Sequence, residues 1–433
     1  MASWFIIRGR PPWQQIIIGF FVLLLLILAP IVISYYLYPA PAPYPVTEPV
    51  HVKILAINDF HGQLSEGQKL NKEPAGSAPV LASYLKTAMA DHGNATTFIA
   101  LPGDIVGASQ PESGLLLDEP TLLFFNSFAN GCCGQSAPAC SASCNMIATF
   151  GNHEFDKGTD ELMRKINGGN GSTGITHLAD PYPGAEVGYV SSNVVWKTNN
   201  TPIVSPYVIR DAGGVKIAFI GADTTATPSL EERTNVEQVT FMNETESINR
   251  YVPEIQQKGV HAIVVLLHEG GSQDAYTGPT REGGNVTGRV TGIVSGLDPD
   301  VDVVLSAHTH AFTNAYLNNS GGKPVLVTQA YSYSRAFADV DLVIDPVTDE
   351  ITGKSAQIVP AYADQPPGTS PDKETASFLA KDEQVVAPLT NQLVTVASAD
   401  ITSQQTGAGE SVLGDLVADS LRAAMNSDIA FIT

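Results

Sequence analysis

The chain has 433 residues, 43% of them apolar, and a formal net charge of -21. So acidic a balance excludes a broad electrostatic grip on DNA or RNA, which needs a basic surface, but leaves small phosphorylated substrates open because bound cations invert a local field. The length allows two or three domains.

At the N-terminus, Arg8 and Arg10 precede a run from Ile16 to Tyr38 without a charged residue. A run of roughly 20 apolar residues is enough to cross a hydrocarbon core, and positive charge stays cytoplasmic. Residues 1–14 are therefore expected in the cytoplasm and 15–38 as a transmembrane anchor or signal, with the rest of the chain outside. The run ends in Tyr35, Tyr36 and Tyr38 rather than a small-residue cleavage site, which favours an uncleaved anchor. Pro39, Pro41, Pro43 and Pro45 make residues 39–50 a stiff spacer.

Five short apolar runs follow, each ending in a polar cluster. Val52–Ile57 leads into Asn58, Asp59, Phe60 and His61; Thr97–Leu101 into Pro102, Gly103 and Asp104; Met146–Phe150 into Gly151, Asn152, His153 and Glu154. Ala262–Leu267 leads into His268, Glu269, Gly270 and Gly271, and Val301–Leu305 into Ala307, His308, Thr309 and His310. Short continuous apolar runs are the pattern of strands buried on both faces. Helical patterns such as Val80–Ala90 and Ile248–Lys258 lie between them, so the chain is expected to be a layered α/β protein. Ligands of such folds bind beyond the C-terminal ends of the strands. Asp59 and His61, two residues apart, would point to one side in extended backbone, as would His308 and His310. Any one cluster alone reads as an ordinary turn or cap. Five in order deliver carboxylate, imidazole and amide groups to one rim, a set suited to two divalent ions and lacking the thiolates of a closed zinc site.

All four cysteines, Cys132, Cys133, Cys140 and Cys144, fall in one segment. Outside the cytoplasm an even count favours disulfides, with three pairings open; the rival reading is a zinc site on the Cys140–Cys144 spacing.

The clusters NDFHG (Asn58–Gly62), PGD (Pro102–Asp104), GNHEFD (Gly151–Asp156), HEGG (His268–Gly271) and HTH (His308–His310) resemble those of the calcineurin-like metallophosphoesterases, and specifically their 5′-nucleotidase branch. The resemblance runs from about His51 to Pro360 and resumes from Gly409 to Asp419. It implies an α/β/β/α sandwich over 51–362, a linker over 363–408, and at 409–433 the start of a second α/β domain with an exposed apolar face on Val412–Met425. It implies two divalent ions, zinc, manganese or iron: Asp59, His61 and His310 on the first, Asn152, His268 and His308 on the second, and Asp104 between them. His153, turned by Asp156, would act on the phosphate or the leaving oxygen rather than bind metal. The implied activity is hydrolysis of nucleoside 5′-phosphates by metal-activated water. Cyclic nucleotides or nucleotide sugars are the alternative, and a non-catalytic surface binding protein on the same fold is a third reading. The expected partners are a small phosphorylated substrate and the membrane, not a nucleic acid polymer.

The chain departs from the family pattern in three ways. Ala307 stands where the family has glycine. The cysteine segment, Asn130–Asn145, reads as an inserted, disulfide-braced loop near the rim of the site. The sequence stops at Thr433, before the region that in the branch holds the substrate base.

Overall fold

The computed structural model describes residues 11, 13, 17, 20–29, 48–91, 93, 95–133, 138–170, 181–282 and 284–432. Twelve strands build two sheets of six. β1 (Val50–Ala56), β2 (Thr96–Leu101), β3 (Met146–Ala148) and β4 (Gly188–Tyr189) open the chain; β5 (Tyr207–Ala212), β6 (Val215–Asp223), β7 (Ala262–His268) and β8 (Val301–Ser306) follow. β9 (Phe312–Asn318), β10 (Pro324–Ala330), β11 (Ala336–Ile344) and β12 (Ile351–Pro360) complete the set. The first sheet has the order β12-β11-β1-β2-β3-β4 and the second β9-β10-β8-β7-β6-β5. β1 to β4 run parallel with β11 antiparallel beside β1, and β6, β7, β8 and β10 run parallel between the antiparallel edges β5 and β9.

The continuous apolar runs are explained by what lies on each face. Val52, Ile54 and Ala56 of β1 meet Ala262, Val264 and Leu266 of β7 in the core between the sheets. The alternate residues face outward onto helices. Leu55, Ile99 and Leu101 pack under α1 (Ala78–Asp91) and α2 (Glu119–Asn126) through Leu81, Leu85 and Phe125. Below this face α3 (Thr159–Asn167) follows the third polar cluster. Ile263, Val265 and Leu267 pack under α4 (Glu244–Gln257) and α5 (Arg289–Gly296). α4 buries Ile248, Val252 and Ile255 at helical spacing, and the Asn243 side chain caps it by accepting from the Glu246 amide. Each such fully buried aliphatic side chain contributes about 1.5–3 kcal/mol relative to exposure. The result is the expected helix–sheet–sheet–helix layering.

Within residues 363–408, read as a linker, α6 (Lys373–Thr390) buries Thr375, Leu379, Asp382 and Val386 beside the short helix Pro111–Gly114 and α1. α7 (Val412–Met425) is amphipathic and buries no residue; Val412, Leu413, Leu416, Leu421 and Met425 are exposed.

The anchor expected at 15–38 falls mostly outside the described residues. Residues 20–29 are helical and exposed. Among the described residues no helix is long and apolar enough to cross a membrane.

Cys133 is bonded to Cys144. Their loop lies at the opposite end of β3 from the site, not on its rim: it enters β3, whereas Gly151–Glu154 leave it. The intervening strand separates brace from site.

Candidate metal centre

The five clusters arrive from both sheets. β1, β2 and β3 bring Asp59 and His61, Asp104, and Asn152 and His153; β7 and β8 bring His268, and His308 and His310. The site sits where the C-terminal ends of the two parallel strand sets meet.

Asp59 and His61 do not lie in extended backbone, nor do His308 and His310. All four, and Asp104, have positive φ, at 49° and 50°, 74° and 56°, and 49°. The same-side placement comes from left-handed turns rather than strand alternation. Such conformations are costly for residues with a Cβ and persist where surrounding bonds enforce them. Those bonds are present. The His61 amide donates to Asp104 O (3.0 Å) and the Asp59 amide to Gly103 O (3.2 Å). The His308 amide donates to Asp59 Oδ1 (2.9 Å). Glu154, fully buried, accepts from the amides of Asp104 (2.8 Å), Ile105 (3.0 Å) and Gly151 (2.5 Å), clamping the second cluster to the third.

Potential ligand atoms of Asp59, His61 and His310 lie within 4.8 Å of one another, as do those of Asp104, His268 and His308. His61, Asp104 and His153 form a third such group that joins the first two. His61 Nε2 is 2.9 Å from His310 Nε2, and His268 Nε2 is 3.1 Å from Asp104 Oδ2. The other ring nitrogens are engaged: His61 Nδ1 with Gly107 O and His268 Nδ1 with Pro102 O, both at 3.0 Å. A ring nitrogen that donates to a carbonyl leaves its opposite nitrogen as the ligand.

Two divalent ions fit these residues. Asn152 Oδ1 is a buried atom with no hydrogen-bond partner among the described residues, which is costly unless an ion takes it up. The Asn152 amide is turned by Glu231, whose Oε1 accepts from Nδ2 at 3.4 Å. Burial pushes the imidazoles of His61, His308 and His310 down, His310 to about 4, and neutral imidazole is the ligating form. Burial also pushes Asp59 up to about 7, while Asp104, despite its burial, is held well below the usual carboxylate range by the charge and hydrogen bond of His268, whose own imidazole is pushed well up in return.

His153 Nδ1 meets Asp156 Oδ1 at 3.0 Å, and the His153 amide donates to Asp104 Oδ1 at 2.9 Å. Burial lowers this imidazole, but the hydrogen bond to Asp156 and the charges of Asp104, Asp156 and Glu231 carry it up to about 9.

Sequence reasoning missed Glu231, which lies within 4.8 Å of His153 and Asp156 as a third member of their group. It follows the short helix Thr227–Leu230 rather than a strand end, so no cluster signalled it. Glu269, inside the fourth cluster, belongs to none of these metal-binding groups and pairs with Arg289 (2.6 Å) and Thr224 (2.8 Å). Ala307 is fully buried, and its carbonyl crowds Gly270 so closely that no Cβ fits there.

This fold and this donor set define a metallophosphoesterase. Residues 52–312 match the calcineurin-like phosphoesterase family, and the chain belongs to it, with the site of a metal-dependent phosphoric ester hydrolase. The endonuclease YhcR of Bacillus subtilis is 32% identical over 392 residues, covering 89% of this chain and 29% of that protein. A cell wall protein of Listeria monocytogenes is 31% identical over 400 residues, covering 87% of this chain and 48% of that protein. This chain therefore spans less than half the length of either relative. The crystal structure of a 5′-nucleotidase precursor from Thermus thermophilus superposes with a TM-score of 0.63 at 21% identity, covering 87% of this chain and 67% of that one.

Proposed function

We propose that the chain is the catalytic part of a phosphomonoesterase that hydrolyses nucleoside 5′-phosphates to nucleoside and phosphate. The observation that carries this reading is the His153–Asp156 pair, set against Asp104 between the two groups of metal-binding side chains. Asp59, His61 and His310 would hold one ion, and Asn152, His268 and His308 the other, with Asp104 shared. Such a pair of ions polarises a phosphoryl oxygen and lowers the pKa of water near it.

The remaining work falls to the chain. Asp156 engages His153 Nδ1, so Nε2 is left to hold a proton for the departing ribose oxygen. Its elevated pKa keeps that proton in place at neutral pH. Glu231 takes the Asn152 Nδ2, which leaves the amide oxygen as the atom that would be offered to an ion. Glu154 keeps the Asp104 and Gly151 turns in register.

The likeness to a 5′-nucleotidase precursor supports the nucleotide as substrate. A second reading, cleavage of phosphodiesters, is favoured by the relative that is an endonuclease. The net charge of -21 opposes a long polyanionic substrate. Steady-state rates on adenosine 5′-monophosphate, 2′,3′-cyclic adenosine monophosphate, a nucleotide sugar and a single-stranded oligonucleotide separate the readings. Highest kcat/KM on the monophosphate is expected. Highest kcat/KM on the oligonucleotide or the cyclic ester replaces this reading with the second.

We also place the catalytic part on the outer side of a cell membrane, anchored through residues 15–38. The charge-free run after Arg8 and Arg10 supports this, as does the Cys133–Cys144 disulfide, a bond that persists in oxidising compartments. Protease added to intact cells should release the phosphatase; activity that stays protected until lysis opposes the placement.

A further inference from the structure

Behind the disulfide loop, at the end of β3 remote from the metal-binding residues, lies a cavity of about 350 Å³ walled in part by Arg210 of β5. Arg210 is 6% exposed. Among the described residues nothing is hydrogen-bonded or ion-paired to its guanidinium, and Nε is buried without an acceptor. Gly188 on β4 leaves the space the group occupies: a Cβ there would collide with Nη2. Burial pushes Arg210 down to about 10, with no acidic neighbour among the described residues to offset it, so it stays charged at neutral pH.

An unpaired buried cation is among the most costly features a core can carry, and an apolar side chain of similar length would relieve it. The rest of the cavity indicates what balances the charge. Met163, Ile166, Val187, Ile203 and the Cys133–Cys144 disulfide make its walls largely apolar. One guanidinium in such surroundings neutralises one negative charge, and its planar fork matches a carboxylate side-on. A phosphate dianion would leave charge uncompensated against apolar walls.

We propose that this cavity is a binding site for a monocarboxylate with a short apolar body, its carboxylate paired with Arg210 and its hydrocarbon laid against the disulfide. The site is separate from the phosphoesterase centre and does not rest on the function proposed for it.

Sodium benzoate is the probe, compared with uncharged benzyl alcohol and with inorganic phosphate at matched ionic strength. Calorimetry and thermal unfolding are run on the full chain. Benzoate should bind one per chain with Kd below about 1 mM and raise Tm, while benzyl alcohol and phosphate do neither. Arg210→Met should abolish benzoate binding, keep parental hydrolysis of p-nitrophenyl phosphate, and melt no lower than the parent. Arg210→Lys, which keeps the charge but loses the fork, should bind benzoate at least tenfold more weakly and serves if the methionine variant does not fold. The proposal is overturned if benzoate fails to saturate the parent chain. It is equally overturned if benzyl alcohol or phosphate binds as well as benzoate, or if a folded Arg210 variant binds benzoate like the parent.

Discussion

Replacing Gly151 with alanine adds one methyl group at the point where the second, third and fourth clusters meet. The backbone there is extended, at φ -115°, so alanine brings no conformational strain and the effect is purely steric. The new Cβ would lie 2.5 Å from His268 Cε1 and closer still to Asp104 Oδ1. Ordinary contact begins at 3.4 Å, so His268 must give way by about 0.9 Å and Asp104 by more. Both groups are fully buried behind Glu154 and Pro102, so neither can move without disturbing the turns that hold it. A misplacement near 1 Å in a catalytic constellation costs about 10²-fold in rate. Gly151→Ala should therefore lose about 10²-fold in kcat/KM on p-nitrophenyl phosphate, bind its metal ions more weakly, and melt lower, since overpacking of this kind costs about 1–3 kcal/mol. Gly292→Ala, inside α5 where a Cβ meets nothing within 4 Å, is the control and should behave as the parent. A Gly151→Ala enzyme with parental kcat/KM and metal content would refute the convergence of Asp104 and His268 on that backbone.

Glu231→Ala should weaken the second metal ion by about 10–100-fold, as loss of a group that orients a ligand typically does, and added metal should restore kcat. Unchanged metal titrations would remove Glu231 from the site. His153→Ala and Asp156→Ala should each lower kcat by about 10²–10³-fold, and the double variant should lose little more than the worse single, because the two act as one unit. Multiplying effects would show that they act separately. Asp382, whose two carboxylate oxygens are buried without a hydrogen bond, is pushed up to about 7 by burial and by Glu112. Unfolded, it ionises near 3.8, so the stability of its neutral form is complete below that pH and is lost as pH rises through 7. Asp382→Asn should therefore match the parent Tm at pH 4 and exceed it by about 2 °C or more at pH 8; the reverse order would show that ionised Asp382 is paired.

The strands and the residues at their ends were legible because burial on both faces leaves a continuous apolar signature. Val52–Ile57 and Ala262–Leu267 read as strands for the reason they are strands: one side faces the other sheet and the other a helical layer. What could not be read was how the ends approach. Alternation along an extended strand predicted Asp59 beside His61, but the chain turns left-handed at both, and that depends on acceptors such as Asp104 O, more than forty residues away. Glu231 was invisible because its role comes from contacts with Asn152, His153 and Asp156 that only the folded chain makes, and Arg210 because a charged residue in an edge strand looks solvated until β4 and the disulfide loop close over it. The cysteine loop was misplaced because nearness in sequence to Gly151 ignores the strand between them.

The most direct test is metal stoichiometry paired with activity. Elemental analysis of the purified chain should find about two divalent ions per chain. Chelation should remove both and abolish phosphatase activity, zinc, manganese or iron should restore it, and Asp104→Asn should lose both ions and turnover while remaining folded. Full phosphatase activity in the chelated chain, or in an Asp104→Asn variant, would contradict the account.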